Sequence, residues 1–270
     1  MLSKQLIESD PQWLKPVPVE TFLHSFIDRS VIPKSIFIHI PKCAGSTIRN
    51  NFHTVSSHEY HATVTTFIEA FECTSSGKGF DEFLSRNPFT IVRNPFDRIV
   101  SWFFYHRSAI WSHGRYNYKF EPIYNASTTD PQVAFEEWIL NRCPTHWGEI
   151  FRLKNSESSN KMPATQRGFR VPGNHNYHVF KTDPRPEAVF RQLSWLEYNN
   201  EVAIPAHNII RYEKLEDAIP QLRHAGNSRR LKKSKRDSDY RNYYTNSKLI
   251  DIVTELCKDD LDYFGYQFGD

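Results

Sequence analysis

Ser35-Ile36-Phe37-Ile38-His39-Ile40-Pro41-Lys42-Cys43-Ala44-Gly45-Ser46-Thr47 is the stretch whose reading decides the fold. Its first six residues are short, β-branched and apolar on both faces except at His39. That pattern is a buried strand of a parallel sheet, and Pro41 ends it. A turn of small residues follows, and Ser46-Thr47 open a segment that can be helical to about Phe52. Strand, Gly-containing turn and helix together begin a βαβ unit. Small residues let a backbone wrap closely around a ligand, and a helix start offers amides and a positive dipole end. Lys42 adds charge and two hydroxyls add donors, so the loop suits an anion, most naturally phosphate. It is not the Gly-x4-Gly-Lys-Ser/Thr phosphate loop, because Lys42 precedes Gly45. The plain alternative is a capped helix after a strand, with Lys42 exposed.

A second unit of the same kind lies some fifty residues on. Phe89-Thr90-Ile91-Val92 reads as a strand, Asn94 as an N-cap and Pro95 as the first helical residue. Phe96, Ile99, Val100, Phe103 and Phe104 then recur at helical spacing, with Asp97, Arg98, Ser101 and Tyr105 off that stripe. Two parallel strands open their carboxyl ends on one edge, where ligands bind in such folds. Arg93 at that edge suits a bidentate phosphate contact, and Ser101 supplies a hydroxyl. The competing assignment for Arg93 is an ion pair with Asp97.

Outward from these units the pattern predicts a helix over 63–71, irregular chain over 108–130, a helix over 130–141 and a long Pro- and Gly-rich excursion over 142–176. Beyond it come a strand near 177–181, a helix over 186–196, a last strand over 207–212, a helix over 215–222 and a final helix over 245–259. Residues 1–34 read as an N-terminal extension and 35–270 as one α/β domain, its central, mostly parallel sheet flanked by helices.

Composition excludes several classes. The 270 residues carry 34 Lys+Arg against 31 Asp+Glu, a net charge of +3, and 39% are hydrophobic. That balance suits a packed domain rather than a disordered chain, and it is too weakly basic for a general nucleic-acid binder. Four cysteines without a CxxC spacing make neither a disulfide scaffold nor a zinc site. Mean hydropathy is −0.60 and no apolar run approaches the roughly 18 residues of a membrane span. Without a secretory leader pattern the expected location is the cytosol, with the Golgi lumen as the alternative for a trimmed chain.

The pair "FIHIPKCAGST" and "FTIVRNPFDRIVS" resembles the PAPS-dependent sulfotransferases, most closely their carbohydrate-type branch. "YHATVTTF" at 60–67, "FEEWI" at 135–139, "IIRYEKL" at 209–215 and the Tyr240–Phe268 ending resemble segments in the same order. The resemblance implies a P-loop-like sulfotransferase fold and transfer of a sulfuryl group from PAPS to a hydroxyl, releasing PAP, with no metal required. It implies that the first loop (Lys42, Cys43, Ala44, Gly45, Ser46, Thr47) holds the 5′-phosphosulfate, and that Arg93 and Ser101 hold the 3′-phosphate. Cys43 departs from the Thr common in that branch and is expected to contribute backbone rather than a nucleophile. Lys42 is then placed to stabilise charge on the leaving oxygen. His61 stands where the family carries a catalytic or acceptor-side His, with His58 as a rival and His39 as a semi-buried strand residue.

The acceptor implied is a carbohydrate or a small alcohol or phenol. Trp111, Tyr116, Tyr118, Trp147 and Phe169 are candidates to stack on it. The basic run Arg229–Arg236, six cations in eight residues, is either a solvated loop or a contact for the cofactor or an acidic acceptor. Two other functions remain open at this point: an ATP-dependent phosphotransferase with a divergent phosphate loop, and a non-catalytic nucleotide or polyanion binder.

Overall fold

The computed structural model describes residues 35–51, 61–75, 78–113, 124, 128–145, 188–219 and 236–270. Among them a three-stranded, all-parallel sheet runs in the order β1 (Phe37–Ile38), β2 (Phe89–Val92), β5 (Ile209–Arg211). The register sets Phe37 opposite Phe89, and Ile91 opposite Ile210. Ile36, Phe37, Ile38, Ile91 and Val92 are all buried, as strands covered on both faces require. Thr90 is buried in the central strand and donates its hydroxyl to the Ile38 carbonyl at 3.0 Å. A separate hairpin pairs β3 (Glu197–Tyr198) with β4 (Glu201–Val202).

Helices α1 (Gly45–Asn51), α2 (Val64–Ser75) and α3 (Gly79–Ser85) connect β1 to β2. α2 and α3 pack closely because Gly79 has no side chain: a Cβ there would meet the Ile68 carbonyl at 2.5 Å. α4 (Pro95–His113) leaves β2. Asn94 caps it as expected, its side-chain oxygen accepting from the Phe96 N–H at 3.0 Å. α5 (Pro131–Leu140) starts on an Asp130 cap and lays Phe135 and Trp138 against Phe103, with ring centroids 5.4 and 5.1 Å away. α6 (Leu215–Ala218), α7 (Ser247–Leu256) and α8 (Lys258–Phe264) complete the described helices.

The α/β class and the β1, β2 and β5 strands match the sequence expectation. Five elements differ. α3 (Gly79–Ser85) forms where Gly77 and Gly79 were expected to break the chain. α4 continues to His113, into a stretch expected to be irregular. The chain at 188–196 forms two 3₁₀ turns, Ala188–Phe190 and Leu193–Trp195, in place of one helix. The reason is a partner far along the chain: the Gln192 and Leu193 amides donate to the Asp260 carboxylate at 2.6 and 3.0 Å instead of to helix carbonyls. The helix expected over 215–222 ends at Ala218. The final helix breaks at Cys257 and resumes to Phe264, where Gly265 closes it in the left-handed conformation. The hairpin was not expected, although Asn199 and Asn200 carry it, with φ of 52° and 64°. Two Asn at positive φ are the signature of a tight hairpin turn. The expected strand at 177–181, most of the excursion over 142–176 and residues 1–34 lie outside the described residues. Among the described residues no helix is long and apolar enough to cross a membrane.

Candidate active site

β1 ends in a loop with an unusual backbone. Lys42 and Ala44 both have positive φ, 68° and 57°, a region that ordinary L-residues seldom enter. The loop is turned by Cys43 N–H donating to the Ile40 carbonyl at 3.2 Å, and by Thr47 and Ile48 N–H donating to the Ala44 carbonyl at 2.8 and 3.1 Å. The amides of Ala44, Gly45 and Ser46 have no protein acceptor among the described residues, and neither has the Ser46 hydroxyl. Successive N–H groups in a turn with left-handed residues form a concave anion receptor. Cys43 does not line that concavity. Its side chain is fully buried, burial pushes its thiol up to about 11, and Sγ donates to Gln192 Oε1 at 3.4 Å. What Cys43 gives the loop is shape.

β2 ends beside it, because the strands are parallel. Arg93 donates from Nη1 to the Lys42 carbonyl at 3.1 Å and from Nε to Asp97 at 2.7 Å, and it lies over the Tyr212 ring. Burial works against its charge, but Asp97 by charge and hydrogen bond, with Tyr212 and Cys43, together outweigh it, and the guanidinium is held above its ordinary range. The ion pair with Asp97 is therefore present, and Arg236 joins it from the other carboxylate oxygen at 2.5 Å. The rest of the basic run, 229–235, lies outside the described residues.

One face of α4 ties these parts together. Asp97, Ser101 and Tyr105 recur every four residues and so share a side of the helix. Asp97 meets Arg93 at one end, and Lys42 Nζ sits 3.8 Å from the Tyr105 ring centroid at the other. Eight helical residues span about 12 Å. Ser101 stands midway, 6% exposed, and its hydroxyl has no protein partner among the described residues.

The histidines converge on the first loop. The His39 ring covers Gly45 so closely that a Cβ there would fall 1.7 Å from its Nε2. His61 lies against His39 with ring centroids 4.1 Å apart, and its Nδ1 is 2.9 Å from the His39 carbonyl. A carbonyl only accepts, so Nδ1 carries the proton and Nε2 of the neutral ring carries the lone pair. Trp195 stands edge-on to His61 at 6.1 Å. His39 is half-buried, as expected, and forms part of the loop's wall. His58 lies outside the described residues, as do Tyr116, Tyr118, Trp147, Phe169 and the side chain of Trp111.

The profile of the sulfotransferase family matches residues 32–267, nearly the whole chain. The chain belongs to the sulfotransferase family. Comparisons with curated proteins and with solved structures found no match.

Behind the two loops this sulfotransferase has a layer of buried polar groups that sequence reasoning missed. Arg98 is 1% exposed, and its guanidinium donates to the Pro41, Phe190 and Val189 carbonyls at 2.9, 2.7 and 3.0 Å. Gln192 is fully buried; its Oε1 accepts from Arg93 N–H at 3.0 Å and its Nε2 donates to the Arg93 carbonyl at 2.9 Å. Asp260, also fully buried, accepts the two amides of 192 and 193; burial raises its carboxyl from 3.8 to about 6, against those hydrogen bonds. One signal for Asp260 was available: it lies four residues before Phe264, on the apolar side of α8. Nothing in the pattern around Arg98 or Gln192 marks them as buried.

Proposed function

We propose that the chain transfers a sulfuryl group from PAPS to a hydroxyl of a carbohydrate or small-molecule acceptor, by in-line displacement with release of PAP, on a P-loop-like sulfotransferase fold. Residues 35–270 act as one catalytic domain and 1–34 as an extension. The observation that carries the proposal is the run of three amides at Ala44, Gly45 and Ser46, beside Lys42, that have no acceptor among the described residues. A tetrahedral anion suits such a concavity, and the residues present fit the 5′-phosphosulfate through these amides, Ser46, Thr47 and Lys42. Arg93 and Ser101 fit the 3′-phosphate at the other end of the α4 face.

Chemically, negative charge builds on the phosphate oxygen that leaves as the sulfuryl group departs. Lys42, swung from the Tyr105 face, stabilises that charge where it develops. His61 Nε2 takes the proton of the attacking hydroxyl, and the His39 carbonyl holds the ring in the tautomer that makes this possible. Histidine is the side chain suited to that task near neutral pH.

Thermal denaturation with PAP, ATP and ATP–Mg²⁺, followed by transfer of labelled sulfate from PAPS to a panel of acceptors, tests the proposal. PAP should raise the melting temperature and ATP–Mg²⁺ should not, because only a ligand of the native state stabilises it. Stabilisation by ATP–Mg²⁺ alone would identify a phosphotransferase. PAP binding without turnover on any acceptor would identify a binding protein. No shift with PAP at high concentration would overturn the proposal.

A further inference from the structure

The anion-binding loops after β1 and β2 are separate in sequence, yet one side chain contacts both. Gln192 pairs its amide with the whole Arg93 peptide unit, accepting from N–H and donating to C=O, while the same Oε1 accepts the Cys43 thiol. Two buried charges hold Gln192 in place. The Asp260 carboxylate accepts the Gln192 and Leu193 amides, and Arg98 holds the Val189 and Phe190 carbonyls together with that of Pro41. A fully buried amide with both ends satisfied is fixed in one rotamer, since breaking either hydrogen bond leaves a polar group without water.

We propose that Gln192 is a positioning residue that locks the spacing of the two anion-binding loops, so that the two anionic ends of one nucleotide are bound cooperatively. The inference rests on the nucleotide-binding assignment above and adds to it a residue that touches no ligand. Lock and loops move as one: when Arg93 is drawn to an anion, its peptide unit carries Gln192 and Cys43 with it. An anion in one loop then orders the other before anything occupies it.

Two measurements test this. The first is the affinity of Gln192→Met and wild type for adenosine 3′,5′-bisphosphate, 5′-AMP and 3′-AMP. Met keeps the length of the side chain and removes its hydrogen bonds. The expected result is a loss of about 30-fold for the bisphosphate and under about 3-fold for each monophosphate, since one to two net hydrogen bonds' worth of preorganisation is at stake. Gln192→Glu, which keeps the acceptor and loses the donor, should fall between. Equal losses for all three ligands would mean that Gln192 merely supports the fold, and an unchanged bisphosphate affinity would mean that it locks nothing.

The second is hydrogen exchange of the wild-type chain with 3′-AMP alone. Protection should rise in 42–48 as well as in 92–98; protection confined to 92–98 overturns the inference without needing any variant to fold. If wild type binds none of the three nucleotides, the functional proposal falls and the lock is judged without ligand. Gln192→Met must then speed exchange at Arg93 and in 42–48 together while leaving α5 unchanged; otherwise the lock is rejected.

Discussion

The loops after β1 and β2 leave the same edge of the same sheet, yet they are opposites in hydrogen bonding. In the first, the amides of Ala44, Gly45 and Ser46 have no acceptor among the described residues and the backbone is held at two positive φ values. In the second nearly everything is satisfied. Arg93 N–H is bound by Gln192, Asn94 N–H by Glu213 at 2.9 Å, and the Arg93 guanidinium by Asp97 and the Lys42 carbonyl. The first loop is a receptor that waits with open donors. The second offers a cation that is already paired, so the phosphate proposed to bind there would have to compete with Asp97. Under the proposed function the difference would divide the work: recognition and chemistry at the first loop, affinity and its regulation by exchange of partners at the second.

The sharpest break in that comparison would come at the residues the proposal sets beside the reacting atoms. His61→Ala is expected to lower kcat by about 10²–10⁴-fold while the dissociation constant for PAP changes little. Normal turnover in this variant would move the base elsewhere, with His58 next in line. Lys42→Met should lower kcat by about 10²–10³-fold, the range found when a group that stabilises developing charge is removed. Single-turnover kinetics with saturating PAPS would read that step directly; an unchanged rate would deny Lys42 its part in departure of the leaving group.

At the second loop the expected effects are on binding. Asp97→Asn removes the carboxylate shared by Arg93 and Arg236 and leaves two largely buried guanidiniums without a counter-ion, at a cost of about 3 kcal/mol to the ligand-free fold. PAP should restore most of that stability and bind about tenfold more tightly than to wild type, because Asp97 no longer competes. Calorimetric titration beside thermal denaturation measures both. Weaker PAP binding would show that Asp97 orients Arg93 rather than competing for it.

The smallest expected effect concerns Asp260. Its folded-state pKa of about 6 lies above the ordinary carboxyl value of 3.8, so between these limits the folded chain holds more protons than the unfolded one. Its contribution to stability is therefore greatest below pH 4, falls as pH rises towards 6 and is constant above. Asp260→Asn should remove that slope, as followed by urea denaturation across pH 4–7; an unchanged slope would assign the dependence to other groups.

Much of this was legible in the sequence because it depends on local signals. The apolar runs at 36–40 and 89–92, the small-residue turn and the Asn94-Pro95 start each specify their own backbone, and each is where it was expected. The ion pair of Arg93 and Asp97 follows from their i, i+4 spacing. What escaped depends on partners far along the chain. Gln192 meets Cys43 across 149 residues and Asp260 across 68, and no window of sequence contains both ends of such a contact. Arg98 escaped for a related reason: its charge is buried against three carbonyls, and carbonyls are present at every residue. The break of the 186–196 helix has the same origin, since a carboxylate from α8 takes the amides that a helix would have used.

The contacts at Gln192 also set an order of events during synthesis. The first loop emerges from the ribosome with residue 43, but the carboxylate that seats Gln192 arrives only with residue 260. At translation speeds of about 5–20 residues per second, that interval is roughly ten to forty seconds. Throughout it, the nascent chain carries the apolar β1 and β2 segments without the group that sets the two loops in register. On the proposed function, a nucleotide added to translating ribosomes should be captured only by chains that already carry residue 260.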